Sequence, residues 1–498
     1  MSTPLTRAES SGWQETSRHA DVLAFIAALE ERGDPRLYRT SFGVSPEGRE
    51  LPLLVLSRDG VRTPEEARRT DRPVILVMCG IHSGEVEGKE GLLMLLRELL
   101  VEGAHGEILE HATVMVVPLY NPDGNDRIDP KNRELQIAKF QGQSGPAAGV
   151  GTRVNAAGIN LNRDYLRQDA VESRLLASGV VIPWAPDLTI DCHSTDGSVH
   201  RFSLTYDTPH TVDSGRREPI AYMRERFLPV ITNRVRAASG REIFFYGNFV
   251  EDEGGEGAGW MTYTHHPRFG SNYRGLTGRC DLLLETYSYD EYEERVRTTQ
   301  QVVLAALRRA SEDADELRRV VRESATPPER IAVRYRLEAE VESATILTRA
   351  PRALDGVPVI VSLPHLARFV GVDPVARPFA YAVAPEIAAR LAGHGLATRR
   401  LEEARDARVE VARVSCVAPT DSRNILEAAG ELVISADITA ATRRLPAGTA
   451  IVETAQPLGS IAVYLCEATS DDGLAACGFV PAPSVGDEWP ALRVLDPL

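Results

Sequence analysis

VILVMCGIHSGEVEGKEGLLMLLRELL, running from Val74 to Leu100, decides how this chain is expected to fold. Its first six residues, Val74 to Cys79, are all apolar and rich in β-branched types, the composition of a strand covered on both faces. Gly80 breaks the run, and an apolar pattern of helical period follows from about Glu85. The reading is strand, tight turn, helix. His82 and Glu85, spaced H-x-x-E, stand on the turn, at the carboxyl end of the strand where open α/β sheets hold their ligands. An imidazole and a carboxylate are donors that Zn²⁺ accepts, and a catalytic zinc site takes three protein ligands with one position open. An exposed histidine beside a helix-capping glutamate would leave the same trace, so the pair needs company before it means a site.

Outward from this stretch the pattern continues. Upstream, apolar residues at helical spacing predict a helix from His19 to about Arg32, stopped by Gly33-Asp34-Pro35. Two strand-like runs, Leu37 to Val44 and Leu51 to Ser57, flank Pro46-Glu47-Gly48 and read as a hairpin at a sheet edge. Downstream, Thr113 to Leu119 is a further β-branched strand, ended by a turn at Tyr120-Asn121-Pro122-Asp123-Gly124. Strand, helix and strand in succession predict a crossover unit in a mostly parallel or mixed central sheet flanked by helices, an α/β class. Residues Arg127 to Thr152 lack periodicity and form a long loop of the kind that serves function or is disordered. Leu188 to Cys192 is a strand running into His193, and Cys280 to Leu284 is another, closed by Glu285. His193 and His82 are thus expected on one rim of the sheet. A carboxylate after a run of buried leucines is costly unless it is paired or used.

Composition bounds the partners. The chain has 498 residues, enough for two or three domains, and 56 basic against 71 acidic side chains give a net charge of −15. That balance argues against nucleic acid and against an anionic membrane surface. The first residues lack the apolar core of a signal peptide, and no stretch approaches the ~18 apolar residues of a membrane span, so the expectation is a cytoplasmic protein. Six cysteines (Cys79, Cys192, Cys280, Cys416, Cys466 and Cys477) stand singly, mostly in apolar runs, and are expected as reduced, buried thiols.

Two imidazoles (His82, His193), a carboxylate ligand (Glu85) and a spare carboxylate (Glu285) all fall near strand ends. In order, H-x-x-E, N-P-D-G, an L-N-R segment, a strand ending in H-S and a strand ending in E resemble the M14 zinc carboxypeptidases, over roughly Asp21 to Arg322. The resemblance implies one zinc held by His82, Glu85 and His193, a substrate carboxylate received by Asn162 and Arg163, and Glu285 as general base. The chemistry agrees: zinc activates water and polarises a carbonyl, a free carboxylate moves the proton, and arginine's fork suits a carboxylate. The family also uses an arginine between the N-P-D-G turn and the L-N-R segment for the oxyanion. Arg127, Arg133 and Arg153 are available, and spacing from the turn selects Arg133, with Arg127 next. The substrate-covering tyrosine of better-known members corresponds to either Tyr263 or Tyr273, while His265 and His266 are expected to be loop or specificity-pocket residues. Digestive members are secreted and disulfide-bearing, and this chain shows neither signature.

From Tyr292 to Arg322 the pattern predicts one long helix, ended by Ala325-Thr326-Pro327-Pro328-Glu329. The domain boundary is expected there: a catalytic domain over 1–326 and a smaller, β-rich α+β domain over 327–498. Strands are expected at Ala332 to Val341, Val357 to Ser362, Phe379 to Ala384, Val409 to Val414, Glu431 to Ser435 and Ala450 to Thr454, with a helix from Pro385 to a stop at Gly395. This region carries no ligand cluster, and its tail, from Gln456 to Pro490, resembles the C-terminal extension of some bacterial M14 proteins. Three functions follow: a zinc carboxypeptidase acting on a peptide with a free carboxylate, a zinc deacylase of small N-acyl amino acids, and a peptide-binding module without catalysis. The long catalytic domain with its N-P-D-G and L-N-R segments leans toward the first. The third would be expected to have lost a ligand or the base, and none is lost.

Overall fold

The computed structural model describes residues 3–250, 259–419 and 432–498. Its first ten strands are β1 (Leu37–Val44), β2 (Glu50–Leu56), β3 (Val74–Cys79), β4 (Thr113–Val117), β5 (Leu188–Thr195), β6 (Leu204–Asp207), β7 (Ile243–Phe245), β8 (Asn248–Val250), β9 (Gly259–Met261) and β10 (Cys280–Tyr287). Eight of them form a mixed sheet in the order β1-β2-β4-β3-β5-β10-β6-β7. Its centre, β4-β3-β5-β10, is parallel, and the β1/β2 hairpin closes one edge. One face packs Ile75, Val77, Ile190, Leu282 and Leu284 against helices that include Leu93, Val303 and Leu307. The other packs Leu76, Met78 and Met115 toward Tyr165, Trp184 and Tyr273.

The deciding stretch folds as strand, turn and helix, with the helix beginning at Glu87 rather than Glu85. Gly80 has φ +71°, and a Cβ there would lie 3.0 Å from Leu119. Gly88 lets the helix Glu87–Leu100 sit directly on β5, where a Cβ would fall 2.5 Å from that of Cys192. This helix is buried almost all round, so its charges are paired: Arg295 donates to Glu87 at 2.6 Å, Thr16 to Glu90 at 2.8 Å and Lys89 to Asn125 at 2.6 Å.

Four expectations are corrected. His193 and Glu285 lie within strands rather than beyond them, because the parallel ladder continues through Glu285↔His193, Thr286↔Ser194 and Tyr287↔Thr195. The N-P-D-G turn closes into a short helix, Pro122–Asp126, capped by Asn121, whose Oδ1 accepts from Gly124 N at 3.0 Å. The long helix is two, Tyr292–Glu312 and Ala314–Glu323, broken at Asp313, whose carboxylate accepts from Tyr222 Oη at 2.8 Å. All six cysteines are free thiols, but Cys416 is exposed, since a bulge between Val414 and Cys416 turns it outward.

Beyond residue 327 the structure is strand-rich. A long hairpin, Tyr335–Ala350 with Val357–Gly371, joins β9 and β8 in a four-stranded sheet, with His365 opposite Trp260. Strand pairing therefore crosses the expected boundary. A six-stranded sheet follows, built from 399–400, 450–453, 380–383, 492–494, 405–419 and 432–445. Glu431, the expected start of one strand, lies outside the described residues. The expected helix runs Pro385–Gly393, and a buried one, Gly459–Cys466, has no forecast because it is apolar all round and carries no period.

Candidate active site

The site forms where β3, β5 and β10 end. Residues 80–86 leave β3 as a loop carrying His82 and Glu85, and Ser83 pins it by donating to Asn121 O at 2.6 Å. His193 and Glu285 project from neighbouring positions of β5 and β10. The imidazoles of His82 and His193 and the carboxylate of Glu85 are buried, and each offers a ligand atom within 4.8 Å of the others. Nδ1 of His82 lies 3.0 Å from Glu85 Oε1, and Nδ1 of His193 lies 3.0 Å from Glu85 Oε2.

The outer nitrogens also face oxygens. His82 Nε2 donates to Asn160 Oδ1 at 3.0 Å, which leaves the Nδ1 lone pair facing Glu85. His193 Nε2 lies 3.2 Å from Asp191 Oδ1. Asp191 in turn accepts from Arg274 Nη2 at 2.7 Å, and Arg274 also reaches Asp281 and Tyr165. Histidines steadied by carboxylate and amide oxygens are what metal sites require of their surroundings, and the His, Glu, His donor set fits zinc. Burial drives His82 down to about 4, keeping it neutral. Burial works against the Glu85 charge, but His82, His193 and Arg133 together hold its carboxyl well below the usual range.

Glu285 is different. Among the described residues its carboxylate makes no hydrogen bond or ion pair. Burial lifts it to about 8, with His193 opposing and Glu85 adding to the rise. It faces a cavity of about 410 Å³ that is also lined by Asn162, Arg163, Tyr246, Tyr263 and Phe269.

Asn162 and Arg163 form a short 3₁₀ turn, Leu161–Arg163, on the cavity wall. The guanidinium of Arg163 stacks on Phe269, its Cζ 3.5 Å from the ring centroid, and donates to Asn162 O at 2.7 Å. No carboxylate among the described residues pairs with it. Arg133 Nη1 donates to Glu85 Oε1 at 2.8 Å. Arg153, half exposed, reaches His82 Nδ1 at 3.2 Å and Glu85 Oε1 at 3.3 Å. Arg127 is elsewhere, on the surface with Glu47. Tyr263 lines the cavity, but Tyr273 points away, its hydroxyl 2.9 Å from His394.

Sequence reading missed Tyr246, Asn160, Asp191, Asp281 and Arg274. Asp191 and Asp281 had a usable signal, since Asp191 and His193 are spaced by two along a strand and Asp281 and Glu285 by four, so each pair shares a face. His265 and His266 are buried and stacked, with centroids 4.5 Å apart, and His265 Nε2 lies 2.8 Å from Asp471 Oδ2.

Residues 22–179 match the zinc carboxypeptidase family, Peptidase_M14. A carboxypeptidase 2 of Trichophyton rubrum is 23% identical across 98% of this chain and 89% of its own length. The carboxypeptidase 2 of Trichophyton tonsurans is 22% identical across 98% and 88%. Over residues 22–179 the chain is similar to the zinc carboxypeptidase (M14) family, and the two relatives just described are themselves carboxypeptidases. Because these matches span 98% of the chain, they run through the region beyond residue 327 as well. Among solved structures, the metallo-carboxypeptidase from Burkholderia cenocepacia is 17% identical with a TM-score of 0.41, covering 59% of this chain and 70% of that one. No helix among the described residues is long and apolar enough to cross a membrane.

Proposed function

We propose that this protein removes the C-terminal residue of a peptide, using one zinc held by His82, Glu85 and His193. The observation that carries the reading is Arg163: a guanidinium lining the same cavity as Glu85 and Glu285, stacked on Phe269, with no carboxylate of its own among the described residues. A half-buried cation without a partner anion is costly, and a substrate's terminal carboxylate would complete it.

Zinc at these three side chains would polarise the scissile carbonyl and lower the pKa of the attacking water. The protein's own groups do the rest. Arg163, with the Asn162 amide beside it, grips the terminal carboxylate and so sets which peptide bond lies at the site. Glu285, which lines the same cavity, takes the proton from the attacking water and passes it to the departing amine nitrogen. Arg133, a fixed positive group beside Glu85, serves the developing oxyanion. Asp191 and Asn160 orient the two imidazoles. Six free thiols support the cytoplasmic reading.

Incubating the zinc-loaded protein with a free-acid peptide and weighing the products tests this reading. The expected products are a peptide one residue shorter at its C-terminus and one free amino acid. His193→Ala should lose both the metal and this activity. Cleavage within the peptide, or unchanged metal content in that variant, would contradict it.

A further inference from the structure

Phe269, on which Arg163 rests, belongs to a segment held from two sides. On the near side, Gly270 N donates to Asn162 Oδ1 at 2.9 Å and Tyr165 N to Arg268 O at 3.4 Å. On the far side stand two consecutive aspartates from the region beyond residue 327. Asp472, 1% exposed, accepts from Arg268 N at 2.8 Å through Oδ2. Its Oδ1 takes the Arg268 guanidinium, from Nε at 2.8 Å and with Nη2 at 2.7 Å. Asp471 lies against His265 at 2.8 Å, and its other oxygen accepts at 2.7 Å from Tyr464 Oη, on the buried helix Gly459–Cys466. Asp471 N donates to Val333 O at 3.1 Å, which fixes the pair to the start of the C-terminal region.

We propose that Asp472, assisted by Asp471, is a positioning residue for the carboxylate anchor: it fixes segment 265–269, and through the Phe269 ring it sets the plane and reach of the Arg163 guanidinium. This rests on the reading that Arg163 receives the substrate carboxylate, and it gives the C-terminal region a part in substrate recognition.

The physical case is one of over-determination. A carboxylate that binds a backbone N–H and a guanidinium together fixes both the chain and the side chain of Arg268. Phe269 follows directly in the chain, so its ring has little freedom left. Among the described residues, what orients Arg163 is that ring and the Asn162 carbonyl, both of which belong to the doubly held segment or to the turn it binds. Arginine binds a carboxylate well only when its plane is preset, and a misplacement of ~1 Å in a positioning group can cost about 10²-fold. Asp472 also balances Arg268, whose charge stands near Arg163.

The test uses full-length, zinc-loaded protein and matched peptides, one with a free C-terminal carboxylate and one amidated. Asp472→Asn keeps the shape and removes the charge. On the free-acid peptide we expect kcat/KM to fall about 10- to 100-fold, chiefly through KM. On the amidated peptide the change should stay within about twofold, with metal content unchanged. In an Arg163→Ala background Asp472→Asn should cost nothing further, since its effect passes through Arg163. Should Asp472→Asn fail to fold, Arg268→Lys, which keeps the charge and loses the fork, is expected to give the same KM signature. Equal losses on both peptides, full additivity with Arg163→Ala, no loss, or collapse of both variants would overturn the proposal. If the wild type already treats the two peptides alike, the reading of Arg163 fails first; if it separates them and Asp472→Asn does so equally well, only the present inference fails.

Discussion

Glu285 stands directly across from His193 in the parallel register of β10 and β5. Partners in a parallel ladder point to the same face, so the sheet itself fixes the spacing between an imidazole that can hold metal and a carboxylate that makes no bond among the described residues. Glu285→Gln should keep the fold and the zinc while turnover falls by about 10²- to 10⁴-fold, measured as initial rates beside metal content. Near-normal turnover would remove Glu285 from the chemistry.

Asp191 is the next link behind His193, and Arg274 the one behind Asp191. Asp191→Asn should weaken zinc binding by about 10- to 100-fold in a chelator competition. Arg274→Met leaves two buried aspartates without their cation and should lower unfolding stability by about 3–5 kcal/mol in a denaturant titration. Unchanged zinc affinity in Asp191→Asn would dissociate the network from the site.

Arg133 and Arg153 both touch Glu85, but Arg153 is about half exposed, whereas Arg133 is 13% exposed at its side chain. Charge in a dry position stabilises a developing oxyanion more than charge in water. Arg133→Ala is expected to lower kcat by about 10²- to 10³-fold with little change in KM, and Arg153→Ala by much less. The reverse order would transfer the oxyanion role to Arg153.

His394 couples pH to stability. Its Nδ1 accepts from Tyr273 Oη at 2.9 Å and Gln168 Nε2 at 3.0 Å, while Nε2 donates to Leu166 O at 3.1 Å. Burial lowers it to about 4 from an ordinary 6.5. The unfolded chain therefore binds this proton more readily, so the stability is present above about pH 6.5 and is lost as pH falls toward 4. The loss is on the order of 3 kcal/mol when complete. His394→Gln should lower Tm at pH 7 yet flatten its decline between pH 6.5 and 4. An equally steep decline in the variant would assign the acid sensitivity elsewhere.

Much of the sheet was legible because its central strands are uniform apolar runs, from Val74–Cys79 through Thr113–Val117 to the leucines of β10. His82 and Glu85 were legible for the same reason: Gly80 ends a strand so sharply that whatever follows must sit on the rim. The paired network behind them was harder to see. Asp281 and Arg274 are seven residues apart in sequence, but Asp191 is more than eighty residues from either, and only the β5/β10 register brings it to them. Tyr246 reaches the cavity from beyond β7, at the far edge of the sheet, a placement no local pattern encodes. The grip of Asp471 and Asp472 on segment 265–269 spans some two hundred residues and depends on tertiary packing alone.

The most direct test of the central claim compares the zinc-loaded wild-type protein on two peptides identical except that one ends in a carboxylate and the other in an amide. Leaving the half-buried Arg163 without its anion costs on the order of 2–5 kcal/mol, so the free-acid peptide should be cut roughly 30- to several-thousand-fold more efficiently, with one C-terminal residue released. Equal rates on the two peptides, or a preference for a short N-acyl amino acid over both, would contradict the carboxypeptidase account even with the zinc in place.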